Sequence, residues 1–487
     1  MNAVKQKTFG AYYTPDSVVR SLVSWVVWSA SDRMLDPSCG DGRFLVSHSN
    51  SVGVEQDREA ANIVHQRMPG SLIHQGDFFT WAAETHERFD CAAGNPPFIR
   101  YQTFKGKMRE HALALCSRLG ADFSGLCSSW APFLVATASL LKSGGRMAFV
   151  VPAEIGHASY AIPLLEYFIN NFATVHIVAV REKLFPELSE DCWLLYAEGF
   201  GAKTRQIRFT LSQSFSYAPE PPRRFMSITV REWKDTWNGR LRPFLIPASV
   251  RDLYVELAQY ADTMRLGELA SVGIGYVTGD NEFFHLRPSQ ADLWSIPKRF
   301  LHPSVRNSRA LPSRKLSAAT VKKWYQDDEQ VLLLRIPKNA ELPANVRRYL
   351  NTPEGKIARE AYKCRNRKPW FSVPDVQVPD FFLTYMSGLE PSLVRNNAGC
   401  TCTNSVHCVR IRERTSVHRL LSVWESPLVK LSCEIEGHPL GGGMLKLEPG
   451  EAARIIFPTA RSVSHVDPRI VEDALAAMRE WRHYVNS

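Results

Sequence analysis

The chain has 487 residues, 45% of them hydrophobic and 22% charged, with a formal net charge of +10. That length exceeds what one hydrophobic core serves and predicts two or three domains. No apolar run reaches membrane-spanning length and Met1–Lys7 carries no signal-like apolar stretch, so the composition argues against a membrane protein and predicts a cytoplasmic one.

The ten cysteines are scattered, several within apolar segments, which predicts reduced thiols and no disulfide framework. Cys400, Cys402 and Cys408 with His407 form the single cluster that raises a metal question. Paired Cys-x-x-Cys spacing is missing there, so no metal is expected. Residues 1–240 hold 25 Lys and Arg against 23 Asp and Glu, and the remainder 34 against 26. The second half is therefore the one expected to grip a polyanion.

In chain order, Phe9-Gly10-Ala11-Tyr12-Tyr13-Thr14-Pro15 precedes a helix from Asp16 to Trp28, with apolar positions at Val18, Val19, Leu22, Val23 and Val26. Thr14 or Asp16 is a candidate cap, and Pro15 suits the first turn. A short strand, Met34-Leu35-Asp36, then runs into Pro37-Ser38-Cys39-Gly40-Asp41-Gly42 and a helix near Arg43. The glycines let the backbone turn tightly and approach a ligand. Neither the phosphate-binding Lys-Ser/Thr nor the dinucleotide Gly-x-Gly-x-x-Gly spacing is there, and an acid at the strand end suits a cationic or hydroxyl-bearing ligand.

A second strand, Ser51–Glu55, also ends in a carboxylate, a helix spans Arg58–Arg67, and a third strand, Ser71–Gly76, leads to Asp77-Phe78-Phe79. The fourth, Phe89–Ala93, runs into Gly94-Asn95-Pro96-Pro97-Phe98. Two successive prolines lack N–H groups and cannot continue a ladder, so the chain leaves the sheet there stiff and extended, with an amide, fixed carbonyls and an aromatic face. Those groups suit a planar amino-substituted ring; a rigid turn with a buried Phe is the alternative. The β-α-β rhythm places all four polar strand ends at the carboxyl edge of one parallel sheet.

Residues 99–128 read as a loop with Arg100, Lys105, Lys107 and Arg109 interleaved with Tyr101 and Phe104. A helix (Trp130–Leu141), a strand (Arg146–Pro152), a helix (Ile162–Phe172) and a hairpin built from Thr174–Val180 and Cys192–Tyr196 complete the sheet. A Pro-rich change of texture at Ala218–Arg224 predicts a linker, giving a first domain over 1–217, a linker over 218–247 and a second domain over 248–487. In the latter, Gly273–Asn281 reads as strand and turn, and Lys363, Arg365, Arg367 and Lys368 beside Trp370 and Phe371 as a phosphate-contacting run.

With Tyr13-Thr14-Pro15, Asp36–Gly42 and Asn95-Pro96-Pro97-Phe98 in that order, followed by a basic C-terminal region, the chain resembles the gamma-class, TaqI-like N6-adenine DNA methyltransferases of restriction-modification systems. The match covers the first 200 or so residues, and more loosely Gly273–Phe284 and Gly441–Pro449. The resemblance implies an α/β class: a Rossmann-like S-adenosylmethionine-dependent methyltransferase domain followed by a mixed α+β target-recognition domain. It also implies S-adenosylmethionine as the cofactor, with Tyr13, Thr14 and Pro15 by its methionine part and Asp36, Pro37, Ser38, Cys39, Gly40 and Gly42 along its length. Glu55 would hold the ribose hydroxyls, Asp77 the adenine amino group, and Phe78 would lie against the ring; Trp130 and Phe133 are carried as neighbours. By the same resemblance Asn95 and Pro96 hold the target amine, Pro97 stiffens the turn, and Phe98 and Phe185 stack a flipped-out base. The expected setting is a bacterial or archaeal cell, with double-stranded DNA as substrate, a separately encoded cognate restriction endonuclease as functional partner, no membrane association and a monomeric state. No Asp-Glu-x-Lys nuclease pattern is recognised. Cytosine N4 as target, or a DNA-binding modification or phage-defence subunit that needs a partner, are the alternative readings.

Overall fold

The computed structural model describes residues 14–412, 417–459, 461, 463–464 and 466–484. The chain divides into two compact units, Met1–Leu245 and Ile246–Ser487.

The first unit is built on strands β1 (Met34–Asp36), β2 (Ser51–Glu55), β3 (Leu72–Gln75), β4 (Phe89–Gly94), β5 (Leu141–Pro152), β6 (Phe172–Val180), β7 (Cys192–Phe200), β8 (Gln206–Ser212) and β9 (Met226–Thr229). They form one sheet in the order β3-β2-β1-β4-β5-β7-β6-β8-β9. The first five pair in parallel, and β7 enters antiparallel between β5 and β6. Thus the predicted hairpin is real, and its return strand inserts next to β5. The strand order reverses between β1 and β4, and the crevice outside the carboxyl ends of an open α/β sheet at such a switch point is where ligands bind.

Helices in this unit are α1 (Asp16–Val26), α2 (Arg43–Val46), α3 (Arg58–Arg67), α4 (Phe78–Glu84), α5 (Gly106–Arg118), α6 (Trp130–Ser139) and α7 (Ala161–Asn171). The stripe Val18, Val19, Leu22, Val23 and Val26 of α1 packs in one apolar cluster with Cys91 and Ala93 of β4, Ala148 and Val150 of β5, and Cys192 and Leu194 of β7. The strand residues come from alternate positions because successive side chains point to opposite faces. Asp57 caps α3, accepting from the Glu59 and Ala60 N–H groups at 2.7 and 3.2 Å.

Two expectations change here. The stretch 99–128 is not all loop: α5 buries Ala112, Leu115 and Cys116, a spacing hidden from a first reading by the basic residues of its opening turn. The stretch 218–247 is not a linker either. There β9 pairs with β8, and Trp233, Trp237, Leu241 and Phe244 are buried, so apolar anchoring outweighs the Pro-rich start and the first unit runs to Leu245.

The second unit is mixed α+β. Its five-stranded sheet runs Ala270–Ile274, Val406–Ile411, Phe381–Thr384, Leu393–Asn396 and Lys315–Leu316 in spatial order, and helices Val417–Trp424, Pro427–Glu436 and Pro468–Trp481 follow in sequence. The predicted strand over Gly273–Asn281 covers only the end of Ala270–Ile274; Asp280 then caps a helical turn, Asn281–Phe284, through the Glu282 and Phe283 N–H groups. In the run 363–371, Lys363 and Arg365 are exposed, whereas Arg367 donates to the Val277 and Thr278 carbonyls and Trp370 packs on Phe283 and Phe284. Half of that run is therefore structural. All ten cysteines are buried free thiols; the Cys402 and Cys408 sulfurs lie 3.3 Å apart, and His407 hydrogen-bonds the Leu447 carbonyl at 2.7 Å. No helix among the described residues is long and apolar enough to cross a membrane.

Gly275 carries the tightest backbone approach in this unit. A Cβ there would lie 2.2 Å from the Thr403 carbonyl oxygen and 2.3 Å from that of Cys402, whereas one at Gly273 would meet nothing within 4 Å. Gly275→Ala is expected to lower stability by about 1–3 kcal/mol or more, and Gly273→Ala to stay within about 0.5 kcal/mol of wild type, as read from urea unfolding midpoints.

Candidate active site

A cleft, partly continuous with solvent, opens at the carboxyl ends of β1, β2 and β4. Asp36 closes β1 and is 1% exposed, with its Oδ1 accepting the Ser38 N–H at 3.2 Å. Pro37, Ser38 and Cys39 follow along the cleft, and the Cys39 N–H is tied to the Val54 carbonyl at 3.0 Å. Gly40 adopts φ +53° with open space where a side chain would stand, so the backbone itself faces the cleft. Gly42 lies outside the lining: at φ +84° it precedes α2, and a Cβ there would press on Val64 at 3.0 Å.

Glu55, at the end of β2, uses one carboxylate oxygen for the Gly40 N–H at 2.8 Å and the other for the Asp57 N–H at 2.7 Å. It thereby shapes the glycine loop. Asp77 caps α4: its Oδ1 accepts from the Thr80 N–H and Oγ1–H, both at 2.8 Å. Phe78 stacks on Phe133 of α6, centroids 5.1 Å apart and planes 12° off parallel, and the pair forms an apolar wall of the cleft. Trp130 is fully buried, its Nε1 donating to the Tyr160 hydroxyl at 3.2 Å, and does not line the cleft.

Asp36, Asp41, Glu55, Asp57 and Asp77 all line the cleft. Burial pushes Asp36 up to about 8, helped by the charges of Glu55 and Asp41 and opposed by the Ser38 N–H. Burial also raises Glu55, against the backbone N–H groups of Asp57, Gly40 and Gln56. Asp41 is paired with Arg67 at 3.0 Å and Arg43 at 3.2 Å.

Beyond β4 the segment Asn95–Phe98 borders the cleft through Asn95 and Pro97. The Asn95 amide nitrogen donates to Thr14 Oγ1 at 3.2 Å, and its carbonyl accepts from Ser38 Oγ at 3.3 Å. Asn95 Oδ1 is buried and has no partner. The Pro96 carbonyl accepts no hydrogen bond among the described residues, and Pro96 itself is buried. Phe98 is half-buried and packs against the cluster of α1, β4, β5 and β7 to which Phe185, 2% exposed, also belongs. Neither ring lines the cleft. Thr14 is 3% exposed and lines it, while Pro15 heads α1 and accepts from the Val18 and Val19 N–H groups; Tyr13 lies outside the described residues. The sequence reading missed two features: the Thr14 grip on the Asn95 amide, and Ser129, whose hydroxyl and backbone bond Pro97 and Ile99.

The side chains fit S-adenosylmethionine: a carboxylate at each of two strand ends for hydroxyl and amino groups, an aromatic wall, and a glycine whose missing side chain leaves the floor open.

Three family models match the chain: Type II methyltransferase M.Eco57I, C-terminal domain, over residues 238–486; Eco57I restriction-modification methylase over 49–185; and N-6 DNA Methylase over 1–68. Type II methyltransferase M.XamI of Xanthomonas campestris pv. amaranthicola is 23% identical over 483 residues, spanning 93% of this chain and 86% of its own length. Type II methyltransferase M.AccI of Acinetobacter calcoaceticus is 18% identical over 512 residues, spanning 99% and 90%. Among solved structures, the Type IIL restriction-modification enzyme MmeI in complex with DNA shares the fold with a TM-score of 0.55 at 13% identity, over 100% of this chain and 77% of that one. The chain belongs to the M.Eco57I family of Type II methyltransferases and is an S-adenosylmethionine-dependent, adenine-specific N6 DNA methyltransferase of restriction-modification type.

Proposed function

We propose that Asn95 Oδ1 and the Pro96 carbonyl are the two acceptors that hold the N6 amine of an adenine turned out of duplex DNA, the gamma-class arrangement. The observation that carries this reading is the buried, unpartnered Asn95 Oδ1. An unmet buried acceptor costs about 1–3 kcal/mol, and a donor arriving at Asn95 Oδ1, at the border of the cleft, relieves that cost. The exocyclic amine brings two N–H donors, and its lone pair is delocalised into the ring. Two acceptors on its hydrogens favour the pyramidal form in which that lone pair can attack. S-adenosylmethionine, when bound, supplies an electrophilic methyl group on a positively charged sulfur.

The protein's part is positioning and electrostatics. Thr14 Oγ1 accepts from the Asn95 amide nitrogen and so fixes the orientation of the amide, leaving its oxygen for the substrate. Pro97 stiffens the turn. Because the amine is inaccessible inside a duplex, the base is flipped, and Phe98 is its aromatic face, backed by the apolar cluster that contains Phe185. Thr14 and Pro15 attend the methionine part of the cofactor; Asp36, Pro37, Ser38, Cys39 and Gly40 run along its length, and Gly42 shapes the turn into α2 without reaching it. Glu55 takes the ribose hydroxyls, Asp77 the adenine amino group, and Phe78 with Phe133 the ring. The first unit is the catalytic domain and the second the target-recognition domain. The enzyme acts as a monomer on double-stranded DNA, with its cognate endonuclease encoded separately. Methylome sequencing of cells expressing the chain tests the whole reading: N6-methyladenine at one defined sequence is expected, and N4-methylcytosine in its place would sink it.

Asn95→Ala is expected to reduce methyl transfer by at least about 100-fold while calorimetry finds S-adenosylmethionine bound as in wild type. Glu55→Ala and Asp77→Ala should each weaken cofactor binding by about 1.5–3 kcal/mol, and unchanged affinity in both would reject their assignment. Asp36 gives a pH test. Its folded pKa is raised, so the stability it contributes is fully present below about pH 4 and is lost as pH rises through about 8. Asp36→Asn cannot titrate, and its urea-unfolding free energy is expected to fall less steeply than wild type across that interval.

A further inference from the structure

The segment that carries the acceptors has a deficit of its own. Pro96 and Pro97 have no N–H to donate, and residues 95–100 belong to no helix or strand, so the backbone cannot hold itself in place. Its direction has to be set from outside by groups that bond its carbonyls and the next available N–H.

Ser129 meets that need. It is 0% exposed and stands immediately before α6. Its hydroxyl donates to the Pro97 carbonyl and accepts the Ile99 N–H at 3.0 Å, and its own N–H donates to the Ile99 carbonyl at 2.9 Å. A serine in that position ordinarily turns its hydroxyl onto the first turn of the helix. Here the helix receives no side-chain cap, and the hydroxyl is given to the proline segment. One turn later the same helix presents Phe133, which stacks on Phe78 in the cleft.

We propose that Ser129 is a positioning residue for methyl transfer: its three hydrogen bonds to Pro97 and Ile99 set the direction of the Pro96 carbonyl and the Asn95 amide, and through α6 they tie that direction to the wall of the cofactor cleft. It touches neither cofactor nor base and acts through the segment it holds. The inference rests on the role given above to Asn95 and Pro96.

The test is Ser129→Ala in the full chain, with Ser129→Cys, which keeps the size and a weaker donor and acceptor, as the graded variant. Single-turnover methyl transfer to duplex DNA is measured alongside calorimetric S-adenosylmethionine affinity, KM for DNA and the melting temperature. Expected is a fall in the single-turnover rate of about 10- to 100-fold for Ser129→Ala, with cofactor affinity and KM within about threefold of wild type and Ser129→Cys intermediate. A merely structural role would instead lower the melting temperature and active fraction while leaving the rate per folded molecule unchanged, and that outcome overturns the proposal. So does a wild-type rate in both variants. Should Ser129→Ala fail to fold, Ser129→Cys alone decides, by a reduced or an unchanged rate. Asn95→Ala in the same assay separates the two levels: if it stays active, the acceptor reading fails, whereas if it is inactive and the Ser129 variants match wild type, only the positioning role fails.

Discussion

Two adjacent prolines just past the end of β4 remove two backbone donors at the border of the cleft, and the neighbouring side chains are arranged around that loss. Three hydroxyl side chains from three separate stretches supply what the backbone lacks: Thr14 ahead of α1 bonds the Asn95 amide, Ser38 after β1 bonds the Asn95 carbonyl, and Ser129 ahead of α6 bonds Pro97 and Ile99. Each hydroxyl can donate and accept, so each adapts to whichever group the stiff segment offers. What they leave unmet is the Asn95 side-chain oxygen, at the cleft's edge. Rigidity and an unsatisfied acceptor are both costly by themselves; together they make a site that does not have to reorganise when a donor arrives.

The electrostatics of the cleft follow from the same crowding. Asp36, Glu55 and Asp77 end or follow three parallel strands, so the sheet delivers carboxyl groups to one edge. Burial opposes ionisation most strongly at Asp36, where the Ser38 N–H is the compensating donor. A ligand carrying positive charge and hydroxyl groups relieves this strain, whereas a phosphate would add to it. The absence of a phosphate-binding pattern in the glycine loop and the acid at the strand end are thus two sides of one preference.

Aromatic and basic residues have divided uses. In the second unit Arg367 and Trp370 close the interior against Val277, Thr278, Phe283 and Phe284, while Lys363 and Arg365 stay exposed. In the first, Trp130 and Phe133 lie three positions apart at the start of one helix, yet one is sealed in the core and the other faces the cleft. Composition along the chain does not distinguish these uses, because the difference is one of helical phase and of what packs opposite.

Local chemistry made much of the first unit legible in the amino-acid sequence: strands ending in Asp36 and Glu55, the stretch ending ahead of Asp77, the helix over Arg58–Arg67, and the break after β4 all follow from periodicity and from what Gly and Pro permit. The family resemblance rested on those same short motifs. The tertiary structure alone decided what depends on residues distant in the chain. It inserted β7 beside β5, absorbed residues 218–245 into the first unit through Trp233, Trp237 and Phe244, and buried Phe185. It also brought Thr14 and Ser129 onto the proline segment from 81 and about 30 residues away. A strand end or a Pro-Pro break is determined by the residues that compose it, whereas a hydrogen-bond partner is determined by which surfaces the whole chain can bury together.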